Sequence, residues 1–290
     1  MEHELIELYL LVCQLYDNQP VLKAQRLSNF RPRCTDEELV TMYLFGHLQG
    51  HTQQRRIYDY LQRHWLAWFP ALPSYQAFNR RLNDLLPAFE LLISQAVKTG
   101  LASLPAQSDR LIDSLPVMLA RASRARSAKV AGEVADRGYC SSKDIHYHGV
   151  KLHALAVRRS GLLPLPQLLW LGPASQHDLS ALRHAAPQLG DCFLFGDKAF
   201  ACADTRRELQ AAGTKLATPY KRRRNEPVTA NNGLLSRFVS SMRQPLESLF
   251  GWLIQRTDLQ NASRVRSTKG LLVHCYGKLA VACLLLIFYS

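Results

Sequence analysis

Apolar positions in the first hundred residues recur at helical spacing. Leu39, Met42, Tyr43 and Phe45 follow Thr35-Asp36-Glu37-Glu38. That quartet predicts a capping box, in which the Thr35 side chain satisfies an orphan amide and Glu38 reaches back. Ile57, Tyr58 and Leu61 predict a second helix, ended near Pro70 and Pro73. Ser74 then predicts an N-cap for residues 75–82. Phe78 and Leu82 would face inward, and Gln76, Asn79, Arg80 and Arg81 outward.

A small-residue linker, residues 102–109 with Pro105, marks a change of period. Residues 111–117 predict a strand. A basic stretch with Arg121, Arg124, Arg126, Lys129 and Arg137 follows. Residues 149–157 and 162–171 flank Arg158-Arg159-Ser160-Gly161, a hairpin signal with glycine in the turn. Residues 178–184 predict a helix capped by Asp178, and 192–196 a strand. Asp204 predicts the cap of a helix through Leu209, closed by Gly213. Residues 215–218 predict a short strand ended by Pro219. A polar, basic loop spans 220–233, and the chain is helical from Leu234 onward. The order is β-β-β-α-β-α-β-α. It is that of an RNase H-like α/β domain, a mixed sheet flanked by helices, preceded by an all-α N-terminal region. The boundary is expected near residue 105, giving parts 1–105 and 106–290.

Composition narrows the class. With 47% apolar and 20% charged residues, the chain is globular rather than disordered. A net charge of +13 and a pI near 9.6 raise the expectation of a polyanionic partner. Seven cysteines, an odd number without a CxxC pair, predict reduced and mostly buried thiols in a cytosolic protein. The acidic start Met1-Glu2-His3-Glu4 does not have the form of a signal peptide. Residues 271–289 are apolar but interrupted by His274 and Lys278. The uncharged remainder is shorter than the roughly 20 residues of a membrane span, so a buried terminal helix is expected and no membrane partner.

The chemistry rests on three acids. Asp113 lies inside Leu111-Ile112-Asp113-Ser114-Leu115, and Asp197 ends Cys192-Phe193-Leu194-Phe195-Gly196-Asp197. Glu247 lies in Arg243-Gln244-Pro245-Leu246-Glu247. Carboxylates are rarely buried without a partner. Two in strands and one on a helix, in a strongly basic chain, point to a shared divalent cation and phosphodiester chemistry on DNA. Cys140, His146, His148 and His153 match no usual zinc-finger spacing.

From about Leu111 to the end, these pieces resemble a DDE transposase of the kind encoded by bacterial insertion sequences, with an RNase H-like catalytic domain. Ile112-Asp113-Ser114 is similar to the first catalytic motif. Gly149-Val150-Lys151-Leu152-His153 is similar to a Gly-x-Lys-x-His strand. Phe195-Gly196-Asp197-Lys198-Ala199-Phe200 is similar to the segment that carries the second aspartate, and Arg243 through Glu247 to an Arg-x-x-x-Glu motif. Two positions depart from the third motif. Ser240 stands where a tyrosine is expected and Ile254 where a lysine is expected. Pro245 predicts the start of a new helix segment.

The resemblance implies catalysis by Asp113, Asp197 and Glu247, acting as ligands of two Mg²⁺ or Mn²⁺ ions, with Asp113 bridging both. It implies cleavage at transposon ends and transfer of the freed 3′-hydroxyl into target DNA. The partners are double-stranded DNA with terminal inverted repeats, target DNA, and a second copy of the chain on paired ends, in a bacterial cytoplasm. Expected DNA contacts are Gln76, Asn79, Arg80 and Arg81 on the recognition helix. Arg121, Arg124, Arg126, Lys151, His153, Lys198, Lys221, Arg222, Arg223, Arg224 and Arg243 complete the set. The alternatives are an RNase H-like nuclease without strand transfer and a non-catalytic DNA-binding derivative.

Overall fold

A computed structural model of the chain describes residues 1–24, 32–105, 108–221 and 229–288. Two compact units divide it. One comprises Met1–Lys98, Gln255–Leu259 and Val265–Ser290, the other Thr99–Ile254 and Gln260–Arg264.

The first unit is helical: α1 (Glu2–Asn18), α2 (Pro20–Ala24), α3 (Asp36–Leu48), α4 (Gln54–His64), α5 (Tyr75–Leu82) and α6 (Leu86–Ala102). The capping box at Thr35 forms as expected. Thr35 N–H donates to Glu38 Oε2 at 2.7 Å, and Glu38 N–H to Thr35 Oγ1 at 3.2 Å. Every residue of α3 from Leu39 to His47 is buried, so this helix is the unit's core. Ser74 caps α5 through the Ala77 amide, and Phe78 and Leu82 are buried.

The second unit is built on a six-stranded sheet: β1 (Arg110–Arg121), β2 (Asp136–Cys140), β3 (Ile145–Val157), β4 (Leu165–Pro173), β5 (Phe193–Phe195) and β6 (Lys215–Ala217). β3 lies between β1 on one side and both β2 and β4 on the other, all antiparallel. β5 and β6 extend the sheet beyond β1 in parallel. The mixed α/β architecture follows the expected order, with one addition. β2 falls inside the stretch read as a basic connection, because Asp136-Arg137-Gly138-Tyr139-Cys140 carries no alternating apolar run. Pro116 is tolerated in β1 because β5 pairs only with Arg110 and Leu111, leaving no strand partner for its missing N–H on that side.

Side chains alternate between the two faces of the sheet. Ile112, Leu155, Trp170 and Leu194 share one face. They form a core with Ala181, Leu182 and Ala185 of α7 (Asp178–Ala185), Leu209 of α8 (Ala203–Ala211), Phe200 and Leu216. Leu111, Asp113, Leu115 and Phe195 occupy the other face. Over it runs α9 (Ala230–Thr257), whose Phe238 ring meets Phe195 edge-on at 6.2 Å.

Three local expectations change. His177, not Asp178, caps α7, its Nδ1 accepting the Leu179 N–H; Asp178 is the first helical residue. Cys202 precedes α8, and Asp204 sits in its first turn, where a carboxylate favours the helix dipole without capping. Pro245 lies within the continuous α9 rather than starting a new segment. Its ring costs one backbone bond but not the helix, because Leu246, Leu249, Phe250 and Leu253 bury the following turns. The hairpin forms with Gly161 in its connection at φ +70°, but β4 begins at Leu165, three residues later than read, so the connection is longer than the four residues expected.

The last helix, α10 (Thr268–Phe288), belongs to the first unit. It is long and apolar enough to cross a membrane, but 67% of its most apolar window is buried in the protein. Gly277 abuts the Tyr43 ring of α3, where an added Cβ would come within 2.8 Å of Tyr43 Cε1. All seven cysteines are free thiols, five of them buried.

Candidate active site

Register brings the two aspartates together. β1 and β5 run parallel with Leu111 opposite Phe195. Asp113 and Asp197 each follow two residues later, and Asp197 keeps an extended backbone at φ −79° and ψ −177°. Residues two beyond a parallel pair share a face and stand abreast, with strands about 4.8 Å apart. Gly196 permits this turn. A Cβ there would lie 2.9 Å from Phe200 Cδ2 and 3.3 Å from Ile112 Cγ2.

Both carboxylates are held by the backbone. Asp113 Oδ1 accepts the Ser114 N–H at 2.8 Å, and Asp197 Oδ1 accepts the Ala199 N–H at 2.6 Å. Arg243 reaches from α9 and donates Nη2–H to Asp113 Oδ2 at 2.7 Å. This pair is largely desolvated, with the Arg243 side chain 12% exposed and that of Asp113 22%. Burial is the largest influence on Asp113. It outweighs the Arg243 charge and the Ser114 amide, the Asp197 charge adds to it, and the pKa is pushed up to about 6.

The third acid stands differently. Glu247 is exposed, one turn beyond Arg243 on α9, beside the buried stripe of Val239, Leu246, Phe250 and Leu253. The leading charge effects on Asp113 come from Arg243 and Asp197. Among the described residues, no three His, Cys, Asp or Glu side chains lie close enough to share one ion.

The expected DNA contacts fall in several places. Lys198 is exposed beside Asp197. Lys151 and His153 lie on the sheet face opposite Asp113, since Asp113 pairs with Ala154. Lys151 donates to the Gln176 carbonyl at 2.9 Å and lies 3.6 Å from Asp178. His153 is buried and stacked on Trp170 at 5.1 Å. Burial, helped by the Lys151 charge, lowers its pKa to about 4, so the ring is neutral at pH 7. On α5, Gln76 and Arg80 are exposed and Asn79 is half-buried. Arg81 is clamped to the buried Asp36 through two bonds of 2.8 and 2.5 Å. Arg121 donates to Asn261. Arg124 and Arg126 sit exposed on the short helical turn Ala122–Arg126, and Lys221 is exposed. Arg222, Arg223 and Arg224 lie outside the described residues.

Sequence reading missed the Ser114 amide as a partner of Asp113. No residue type signals it, because any residue but proline at 114 supplies the same N–H. It also missed that the partner of Arg243 in this structure is Asp113. The helical Arg-x-x-x-Glu spacing gave no hint of a contact 130 residues away.

The donor set suits a hard divalent cation. The two aspartates offer only carboxylate oxygens, and one is a desolvated acid with a like charge beside it. Mg²⁺ takes one or two protein carboxylates and completes its shell with water and substrate phosphate. A family model described as a transposase DDE domain matches residues 106–268, more than half of the chain, from before β1 to the start of α10. No curated protein matches the chain.

Proposed function

Since the chain belongs to the transposase DDE-domain family, we propose that it cuts DNA at the ends of a mobile element and joins the freed 3′-hydroxyl to target DNA. The observation that carries this reading is the pair of aspartates, Asp113 within β1 and Asp197 just beyond the end of the parallel β5, with the Asp197 charge acting on a largely desolvated Asp113. Asp113 and Asp197 would hold Mg²⁺ or Mn²⁺, with Glu247 completing a two-ion site. When bound, such ions lower the pKa of the attacking hydroxyl and neutralise charge at the phosphate.

The chain's own residues do the rest. Asp113 must be ionised to hold a cation, so protons compete with the metal in the metal-free protein below about pH 6, and cleavage there is expected to need more Mg²⁺ or Mn²⁺. The Ser114 and Ala199 amides fix the direction of each carboxylate, so little ordering is left for the moment of reaction. Arg243 presents N–H groups suited to a phosphate fork. Arg80 and Gln76 on α5 can read base edges, while Arg124, Arg126, Lys198 and the basic run Lys221 to Arg224 neutralise backbone phosphates. Terminal inverted repeats as the specific DNA, and a pair of chains on paired ends, follow from the same reading.

The test is cleavage of a DNA carrying the element's own ends with Mg²⁺ or Mn²⁺, beside Asp113→Asn, Asp197→Asn and Glu247→Gln. Wild type should cut and each variant should lose at least about 100-fold in rate. A joined donor–target product in the same gel supports strand transfer. Cutting without joining favours a nuclease, and end binding without cutting favours a non-catalytic protein.

A further inference from the structure

Arg243 is already engaged in this structure. Its Nη2–H is given to Asp113 Oδ2 at 2.7 Å, and the other Asp113 oxygen accepts the Ser114 N–H. Both oxygens a cation would use therefore already have a donor. Arg243 in turn is incompletely satisfied, because its Nε is buried and has no hydrogen-bond partner among the described residues. A buried guanidinium N–H without an acceptor is costly, and such a group in a folded protein calls for an explanation. The explanation consistent with the geometry is an acceptor that comes from outside the chain.

Charge decides which. A divalent ion at Asp113 would stand against Arg243, two cations on one largely desolvated carboxylate. A phosphate beside α9 would offer Arg243 acceptors for both Nη2 and Nε, the fork that guanidinium fits best. We propose that Arg243 is a counterion switch, which takes the cation's place at Asp113 in the DNA-free protein and moves to a DNA phosphate when the end docks, freeing Asp113 to load a divalent ion. This rests on the reading of Asp113 and Asp197 as cation ligands. It makes DNA binding and metal binding cooperative, since each removes what opposes the other. It also keeps the cleavage centre unloaded until an end is in place.

The experiment measures Mn²⁺ binding to the full chain without DNA at neutral pH, by the electron paramagnetic resonance signal of free Mn²⁺. Wild type, Arg243→Gln, Arg243→Lys and Asp113→Asn are compared. Arg243→Gln should bind Mn²⁺ about tenfold more tightly than wild type, the low end of what one adjacent charge does to a carboxylate. Arg243→Lys keeps the charge and should stay near wild type. Asp113→Asn should lose the site. Adding a short duplex of the element end should tighten Mn²⁺ binding to wild type and do so markedly less for Arg243→Gln. A merely structural arginine predicts the opposite, weaker or unchanged Mn²⁺ binding when it is removed. That result, with binding still lost in Asp113→Asn, overturns the switch and leaves the metal site standing. Absence of Mn²⁺ binding in every form, with duplex or without, overturns the metal reading and the switch with it. Should Arg243→Gln fail to fold, the wild-type arm decides alone, and a duplex that leaves Mn²⁺ affinity unchanged overturns the proposal.

Discussion

A carboxylate whose pKa rises on folding binds a proton that the unfolded chain has already released. Asp113 moves from 3.8 to about 6, chiefly by burial. Between those values stability falls as pH rises, and above about 6 the whole cost is present, about 3 kcal/mol. Asp113→Asn removes that titration. Its melting temperature relative to wild type should therefore climb from about pH 4 to about pH 6 and stay level above. Thermal melts across this range check it, and parallel curves for the two proteins would show that Asp113 keeps an ordinary carboxylate pKa in the folded protein. Asp113 and Asp197 were legible in the sequence because an acid inside or ending an apolar run is improbable without a role. Their adjacency was legible only through the fold, as a matter of parallel register. The partner of Arg243 was not legible at all, since nothing in a local motif encodes which distant carboxylate a helix arginine meets.

At the scale of elements, periodicity found the helices and long strands where local pattern and tertiary packing agree. It missed β2, whose five residues are held by pairing with β3 and by Asp136, which accepts hydrogen bonds from the Ser175 backbone and hydroxyl. Gly149 is readable as a motif glycine, yet its reason is tertiary: a Cβ there would fall against the Val117 carbonyl of β1. The pairing of α10 with the helical unit is likewise a long-range fact. Its apolar composition also fits a membrane span, and Lys278 is the residue that tests the burial. Lys278 is 4% exposed, and its ammonium donates to the Asp258 carbonyl at 3.0 Å, near His274 and Cys275. Burial lowers its pKa from 10.5 to about 8, so the charged form costs stability below about 8 and the cost fades toward 10.5. His274 and His47 nearby are pushed to low pKa by their own burial and stay neutral in that window. Lys278→Met should thus stabilise the protein at neutral pH by about 2 kcal/mol, after subtracting roughly 1 for the lost hydrogen bond. Denaturant titrations should find the gain shrinking above pH 8. A loss of stability at neutral pH would mean that the ammonium is worth more to this helix packing than its desolvation costs.

For the molecule as a whole, the net charge of +13 announces a polyanion but not where it lies. The structure separates charges already committed inside the fold from those facing solvent. Arg81 is committed to Asp36 and Lys151 to Gln176 near Asp178, while Arg121, itself exposed, is held by the neutral Asn261. Arg124 and Arg126 are exposed and have no ion pair among the described residues. Composition counts all five alike, because pairing is a property of the folded chain. The difference has a measurable consequence. Each phosphate contact releases counterions and contributes about 0.9 to the slope of log affinity against log salt concentration. Arg124→Ala with Arg126→Ala should therefore lower that slope by roughly 2 for a DNA-end duplex, across specific and unrelated sequences alike. Arg81→Ala should instead act on stability, since it removes the two bonds that Arg81 gives the buried Asp36, and should leave the slope of the folded protein nearly unchanged. The two effects separate in one set of binding titrations over a salt series, paired with thermal melts. A slope unchanged by the double substitution would remove this turn from the DNA path. A fall in the slope for Arg81→Ala would mean that Arg81 leaves Asp36 when DNA binds.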